Sequence, residues 1–215
     1  MADFTYENKL WTKGVKLIGG VDEVGRGSFA GPVVAACIGF DSGVRLNDAI
    51  RINDSKQLTQ KNREMAYRWI IDKCLVIGVG IVNLEEIDEN GIGKASIEAM
   101  RRAVNSALIL PNKYADISLE HLLIDAFNIP QLVNFPKEKQ TAIIKGDTLS
   151  FSVAAASIIA KVYRDKIMND LSTFKKYEKY AWHKNKGYGT KEHIDAIRKH
   201  GLTKHHRKLF VRNYI

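Results

Sequence analysis

Only 4 prolines and 2 cysteines are spread over these 215 residues, and the 16 glycines are no more than ordinary usage. Collagen-like, proline-rich and disulfide-scaffold architectures are thereby excluded. Cys37 and Cys74 form no CxxC pair and read as reduced, buried thiols. Long hydrophobic runs are missing as well: none approaches the ~20 apolar residues of a membrane-spanning helix. The opening residues, Met1-Ala2-Asp3-Phe4-Thr5-Tyr6-Glu7, lack both the basic and the apolar stretch of a secretory signal. A cytoplasmic protein with no membrane partner is expected. There is no internal repeat, low-complexity tract or Ser/Gly linker. With 45% hydrophobic residues the chain can bury a full core, so a single domain over residues 1–215 is expected.

The net charge of +9 is not evenly shared. Residues 1–174 carry 21 basic and 21 acidic side chains, whereas residues 175–215 carry 12 and 3. Five of the six histidines also fall in that last segment. A neutral body, about 14–174, with a basic extension, about 175–215, is the electrostatic footprint of a phosphate-backbone binder or of a solvated basic face. Lys191, Arg198 and Lys199 on a basic helix over 191–200 are expected to contact duplex backbone. At least one of the clustered Lys204, Arg207 and Lys208 is expected to do the same.

Apolar runs predict strands at 15–21, 32–40, 75–82, 122–124 and 141–144. Helical periodicity falls at 59–73, 93–108, 151–170 and 191–200, with Thr59 and Gly201 as start and stop signals. Strands first, then strands alternating with helices, suggest an α/β layer with a mixed sheet whose first strands are antiparallel. The 151–170 segment is apolar almost all round and must be buried. Trp11, Trp69 and Trp182 read as packing or surface residues rather than platforms for bases, and Met65 and Met100 as core filler. His205-His206 lack a third ligand at zinc spacing.

Chemistry concentrates where apolar runs end in carboxylates: Asp22-Glu23, Asp125 and Asp147. Singly, each is an ordinary turn or cap residue. Together, buried strand-end carboxylates would repel one another unless a hard divalent cation lay among them, and oxygen-only ligands point to Mg²⁺ or Mn²⁺. Adjacent strand residues point to opposite faces, so a regular strand cannot aim both Asp22 and Glu23 at one ion. Either the strand bends, or Glu23 acts through its carbonyl or a water. The Gly25-Arg26-Gly27 turn that follows is neither a P-loop nor a dinucleotide fingerprint.

Gly20-Val21-Asp22-Glu23-Val24-Gly25-Arg26-Gly27 resembles the opening motif of bacterial ribonuclease HII, a type 2 ribonuclease H family. Further motifs follow in the same order: Asp54-Ser55-Lys56-Gln57-Leu58, Ile124-Asp125-Ala126, Lys145-Gly146-Asp147, Ala154 to Lys161 with Arg164-Asp165, Gly187-Tyr188-Gly189-Thr190, and Gly201 to Phe210. The resemblance spans roughly residues 16–210. Its one departure is Ala126, where many relatives carry glycine.

The resemblance implies a ribonuclease H-like mixed five-stranded sheet flanked by helices, with a helical C-terminal extension. It implies a monomeric, metal-dependent endoribonuclease acting on RNA–DNA hybrid and on single ribonucleotides in duplex DNA. Cleavage would leave 5′-phosphate and 3′-hydroxyl ends, in ribonucleotide removal and RNA primer removal. It further implies two Mg²⁺ or Mn²⁺ ions held by Asp22, Glu23, Asp125 and Asp147. Gly25, Arg26 and Gly27 would sense the ribose 2′-hydroxyl, Tyr188 would pack on the neighbouring deoxyribose, and Lys56 would touch phosphate. Two alternatives stay open: a ribonuclease HIII-type enzyme, which shares the fold but normally lacks Gly-Arg-Gly, and a noncatalytic hybrid-binding module.

Overall fold

A computed structural model describes residues 2–46, 50, 52–109 and 118–214. In chain order these form α1 (Thr5–Trp11), β1 (Leu17–Val24), β2 (Val33–Asp41), α2 (Gln60–Lys73), β3 (Val76–Val82) and α3 (Leu84–Ile109). Then come β4 (His121–Asp125), β5 (Gln140–Ile143), α4 (Gly146–Leu149), α5 (Phe151–Ser172), α6 (Trp182–Asn185), α7 (Lys191–His200) and α8 (Lys208–Val211). The strands make one mixed sheet in the order β3-β2-β1-β4-β5. β1 is antiparallel to β2, as is β2 to β3, while β4 runs parallel to both β1 and β5. The five-stranded mixed sheet expected from the sequence is the one observed.

β2 shows why the runs are apolar without alternation. Val33, Ala35 and Cys37 face the core cluster built on α3, while Val34, Ala36, Ile38 and Phe40 face the cluster built on α5 and α2. Both faces of the central strands are covered, so neither register of side chains can be polar. The alanine-rich α5 lies so close to β1 that a Cβ on Gly20 would sit 2.0 Å from the Ser152 carbonyl carbon. Ser150 caps α5 by accepting the Val153 N–H, Thr59 caps α2, and Gly201 (φ +75°) follows α7. Among the described residues no helix is long and apolar enough to cross a membrane.

Some elements were not expected from the sequence. α1 is short and contains Glu7, a residue that argues for exposure. Instead Glu7 is fully buried, accepting from the Ser150 hydroxyl (2.7 Å) and the Ser152 N–H (2.8 Å) at the start of α5. Its placement at the start of that helix is a tertiary effect, and burial still pushes its carboxyl above the usual range despite these bonds. α3 begins earlier than the expected 93–108 because an acidic first segment joins it across Gly91 (φ +76°), outside helical geometry. Met65 is a correction: it lies exposed on the outer face of α2, while Met100, Trp69 and Trp182 are buried. Cys37 and Cys74 are buried and form no disulfide.

The C-terminal segment does not stand off from the body. Gly31 N–H donates to the His205 carbonyl (3.0 Å) and Arg207 N–H to the Phe29 carbonyl (2.8 Å), bridging Ala30 to His206. Phe29, Ala30 and Met168 share an apolar cluster with Tyr177, Tyr180, Trp182, Ile197 and Val211.

Candidate active site

Sheet register builds the centre of the site. β1 and β4 are parallel with Val21 opposite Ile124, so the next residues, Asp22 and Asp125, lie side by side on one face at the strands' carboxyl ends. Glu23 starts toward the other face, and pairing with β2 continues unbroken through Val24, so the strand does not bulge. Its longer side chain nevertheless converges: Asp22, Glu23 and Asp125 each offer an oxygen within 4.8 Å of the others. Asp147 lies outside this group of three, in the first turn of α4 behind the left-handed Lys145 (φ +58°). The Gly146 N–H of the same turn donates to Asp125 Oδ1 at 2.7 Å.

The electrostatics are those of an anionic pocket short of cations. Burial, then the charges of Glu23 and Asp125, hold the Asp22 carboxyl well above the usual range. Burial pushes Glu23 up to about 7, with Arg26 opposing and Asp125 assisting. Asp125 and Asp147 are raised by burial too, Asp147 also by Asp54 and Asp125. Glu23 reaches Arg26 at 3.4 Å through one oxygen, but its other oxygen, Oε2, is buried without any hydrogen-bond partner. An orphaned carboxylate oxygen beside two more carboxylates, with no nitrogen or sulfur donor in the group, fits a hard divalent cation. The Ser157 hydroxyl on α5, which works against burial to lower the Asp22 pKa, is joined to Ser55 at 3.0 Å. The Asp54-Ser55-Lys56 loop is thereby fixed to the centre. Burial works against the Lys56 ammonium, yet the carboxylates of Asp54, Asp22 and Asp147 outweigh it and raise its pKa.

The turn after β1 is held from beneath. Gly25 has φ +103°, and a Cβ there would lie 2.3 Å from Arg164 Nε. Arg207 donates through Nη1 to the carbonyls of Gly25 (2.7 Å) and Arg26 (2.8 Å), and through Nε and Nη2 to the carbonyl of Gly31. Arg164 donates to the Pro32, Ala30 and Lys186 carbonyls and to the Ser28 hydroxyl. Arg26 and Gly27 remain exposed, with open space around the Gly27 Cα. Tyr188 is half-buried over the guanidinium of Arg164, 5.1 Å from its ring centroid, and over Lys161 at 5.5 Å.

The structure therefore brings together Asp22, Glu23 and Asp125, and sets Asp147, Lys56 and the Gly25-Arg26-Gly27 turn around them. Of the three clustered cations, Arg207 is fully buried, while Lys204 and Lys208 are exposed and remain the two that could face a duplex. Burial and the nearby Arg164 charge pull the Arg207 pKa down to about 9. Arg164, Ser28 and Ser157 were given no role from sequence. The available signals were the Ala154–Lys161 and Arg164-Asp165 motifs and an arginine within an otherwise apolar segment, since a buried cation must be satisfied by something.

Comparison with known proteins came out consistently. The sequence model of the family described as ribonuclease HII matches residues 19–213. The chain is 44% identical over 209 residues to a ribonuclease HII of Pediococcus pentosaceus, covering 97% of this chain and 75% of that one. To the ribonuclease HII of Wolbachia sp. subsp. Brugia malayi it is 46% identical over 209 residues, covering 97% of this chain and 93% of that one. In structure it is similar to the ribonuclease H2 of Pyrococcus horikoshii, with a TM-score of 0.69 at 26% identity over 92% of this chain and 96% of the other.

Proposed function

The chain belongs to the ribonuclease HII family of endoribonucleases, and from that premise we propose what it cuts and how. The proposed substrates are the RNA strand of RNA–DNA hybrids and single ribonucleotides embedded in duplex DNA, cut to leave 5′-phosphate and 3′-hydroxyl ends. The observation that carries this reading is the convergence of Asp22, Glu23 and Asp125, with an unpartnered Glu23 oxygen, directly beside a Gly-Arg-Gly turn whose Arg26 and Gly27 are exposed.

Asp22, at the centre, would hold the divalent ions together with Glu23, Asp125 and Asp147. When bound, Mg²⁺ or Mn²⁺ supplies activation of the attacking water and neutralisation of charge on the leaving oxygen. The protein's own part is orientation. The Glu23 and Gly146 N–H groups fix the Asp22 and Asp125 carboxylates. The Gly25-Arg26-Gly27 turn offers backbone groups to a 2′-hydroxyl, the group that tells RNA from DNA. Tyr188 offers a flat ring to the adjoining deoxyribose, and Lys56 a cation to backbone phosphate. The reading includes one catalytic domain over 1–215, acting as a cytoplasmic monomer in removing ribonucleotides and RNA primers from DNA.

The test is cleavage of a duplex carrying one ribonucleotide, beside a uniform RNA–DNA hybrid, with Mg²⁺, Mn²⁺ or chelator. Metal-dependent cuts in both, 5′ to the single ribonucleotide, are expected. Cleavage of the hybrid alone would mark a ribonuclease HIII-type activity. Binding of both without cleavage would mark a noncatalytic hybrid-binding module.

A further inference from the structure

Arg164 is fully buried, and the groups that its guanidinium binds belong to two segments far apart in sequence. On one side Nε donates to the Pro32 carbonyl (3.0 Å), and Nη2 to the Ala30 carbonyl (3.0 Å) and the Ser28 hydroxyl (2.8 Å). On the other Nη1 donates to the Lys186 carbonyl (2.9 Å), and the Tyr188 ring lies over the guanidinium carbon. Ser28 passes the contact on, since its hydroxyl donates to the Gly25 carbonyl at 2.8 Å. One planar, rigid fork thus touches both the turn that carries Gly25-Arg26-Gly27 and the turn that carries Tyr188.

Burying a cation among neutral acceptors is costly, and burial does depress the Arg164 pKa. Lysine could supply the charge but not the fixed angles between donors or the flat face under the ring. We propose that Arg164 is a positioning residue for sugar discrimination: it sets the spacing and tilt between the Gly25–Gly27 turn and the Tyr188 ring, and Ser28 relays that setting to Gly25. This rests on reading those two segments as the groups that face the ribose–deoxyribose junction. Arg164 touches neither substrate nor metal. It acts by fixing the frame in which the 2′-hydroxyl is read.

The experiment compares wild type, Arg164→Lys and Ser28→Ala on two substrates, a duplex with one embedded ribonucleotide and a uniform RNA–DNA hybrid. For each, kcat and KM are measured, and Mn²⁺ binding is followed by calorimetry without substrate. A misplacement of about 1 Å can lower a rate about 100-fold. The expected result for Arg164→Lys is a 10- to 100-fold fall in kcat on the single ribonucleotide, as an order-of-magnitude figure. KM, Mn²⁺ affinity and kcat on the uniform hybrid, which presents a 2′-hydroxyl at every step, should change far less. Ser28→Ala should shift the ratio of the two kcat values in the same direction by a smaller factor. If both substrates fall by one common factor in Arg164→Lys, the arginine is only structural and the proposal is overturned. Should that variant fail to fold, an unchanged ratio in Ser28→Ala overturns it equally. A wild-type enzyme that spares the embedded ribonucleotide would sink the functional reading and this proposal with it, a pattern recognisable because the unmutated chain already shows it.

Discussion

Ala126 follows Asp125 with φ +65°, a left-handed conformation in which a Cβ crowds the backbone. Its N–H is committed to the Ile143 carbonyl at 2.9 Å, so the conformation cannot relax without losing a bond that sets the end of β4. An L-residue there costs about 1–2 kcal/mol, partly offset because glycine loses more entropy on folding. Ala126→Gly is therefore expected to raise stability by about 0.5–1 kcal/mol, read as a Tm increase of a few degrees. No increase would mean that the turn carries no strain. Strain of the opposite origin sits next door. Burial and like charge raise the Asp22 carboxyl, so its ionised form opposes folding at neutral pH when no metal is bound. Asp22→Asn should raise the metal-free Tm while lowering cleavage in Mg²⁺ by about 10³ or more, in line with loss of a group that acts only with its partners. Asp147→Asn should lower activity as severely. Near-wild-type cleavage by either variant would remove it from the machinery. These aspartates were legible because each ends an apolar run. Arg207 was not, since nothing in a run of basic residues says which one turns inward.

At the scale of elements, α7 and the strand-like segment after it are joined by a buried chain of rings. Thr203 N–H donates to His206 Nδ1 (2.9 Å), so neutral His206 carries its proton on Nε2 and gives it to His193 Nε2 (3.1 Å). His193 then donates from Nδ1 to the Tyr188 carbonyl (2.9 Å), while Trp182 Nε1 donates to the same His193 nitrogen (3.0 Å). Both rings must stay neutral for this chain to close. Burial, then His193 and His205, pull His206 down to about 3, and burial lowers His193 as well. A histidine depressed in the folded state binds its proton preferentially when unfolded. Its contribution is complete above about pH 6.5 and is lost as pH falls from there toward about 3. Glu23, raised to about 7, acts in the opposite sense between pH 7 and its ordinary value. The difference in Tm between wild type and His206→Gln cancels the carboxylate part. That difference should shrink steadily from pH 7 to pH 4.5, and a constant difference would show that His206 does not titrate between the two states. The sheet and the longer helices were legible from periods of two and 3.6 residues. α1 was not, because Glu7 is placed by tertiary contacts, whereas the start of α3 is marked locally by the reciprocal Asn83–Glu86 cap, a signal that the apolar period alone does not reveal.

For the molecule as a whole, the charge imbalance of the last 41 residues is the feature read most directly from the sequence, and the structure divides it into two uses. Lys191, Arg198, Lys199, Lys204 and Lys208 are exposed, whereas Arg207 spends its donors on the carbonyls of Gly25, Arg26 and Gly31. Exposed cations that neutralise phosphates release condensed counterions, and each lost contact lowers the slope of log K against log salt by about 0.7–0.9. Lys204→Gln with Lys208→Gln should therefore weaken duplex binding, flatten its salt dependence by about 0.7–1.8 in slope, and leave sequence preference alone. The single-turnover rate at saturating substrate should change much less than in the carboxylate variants, whose side chains lie elsewhere. Arg207→Gln belongs to the other class. It strips the Gly25–Gly31 turn of its support, so Tm should fall while the salt slope of whatever folded enzyme remains stays near wild type. Fluorescence titrations of an uncleavable duplex from 50 to 200 mM salt separate the two outcomes. An unchanged slope in the double lysine variant would make this part of the basic surface a solvated face. A slope that dropped in Arg207→Gln would place that arginine on the duplex after all.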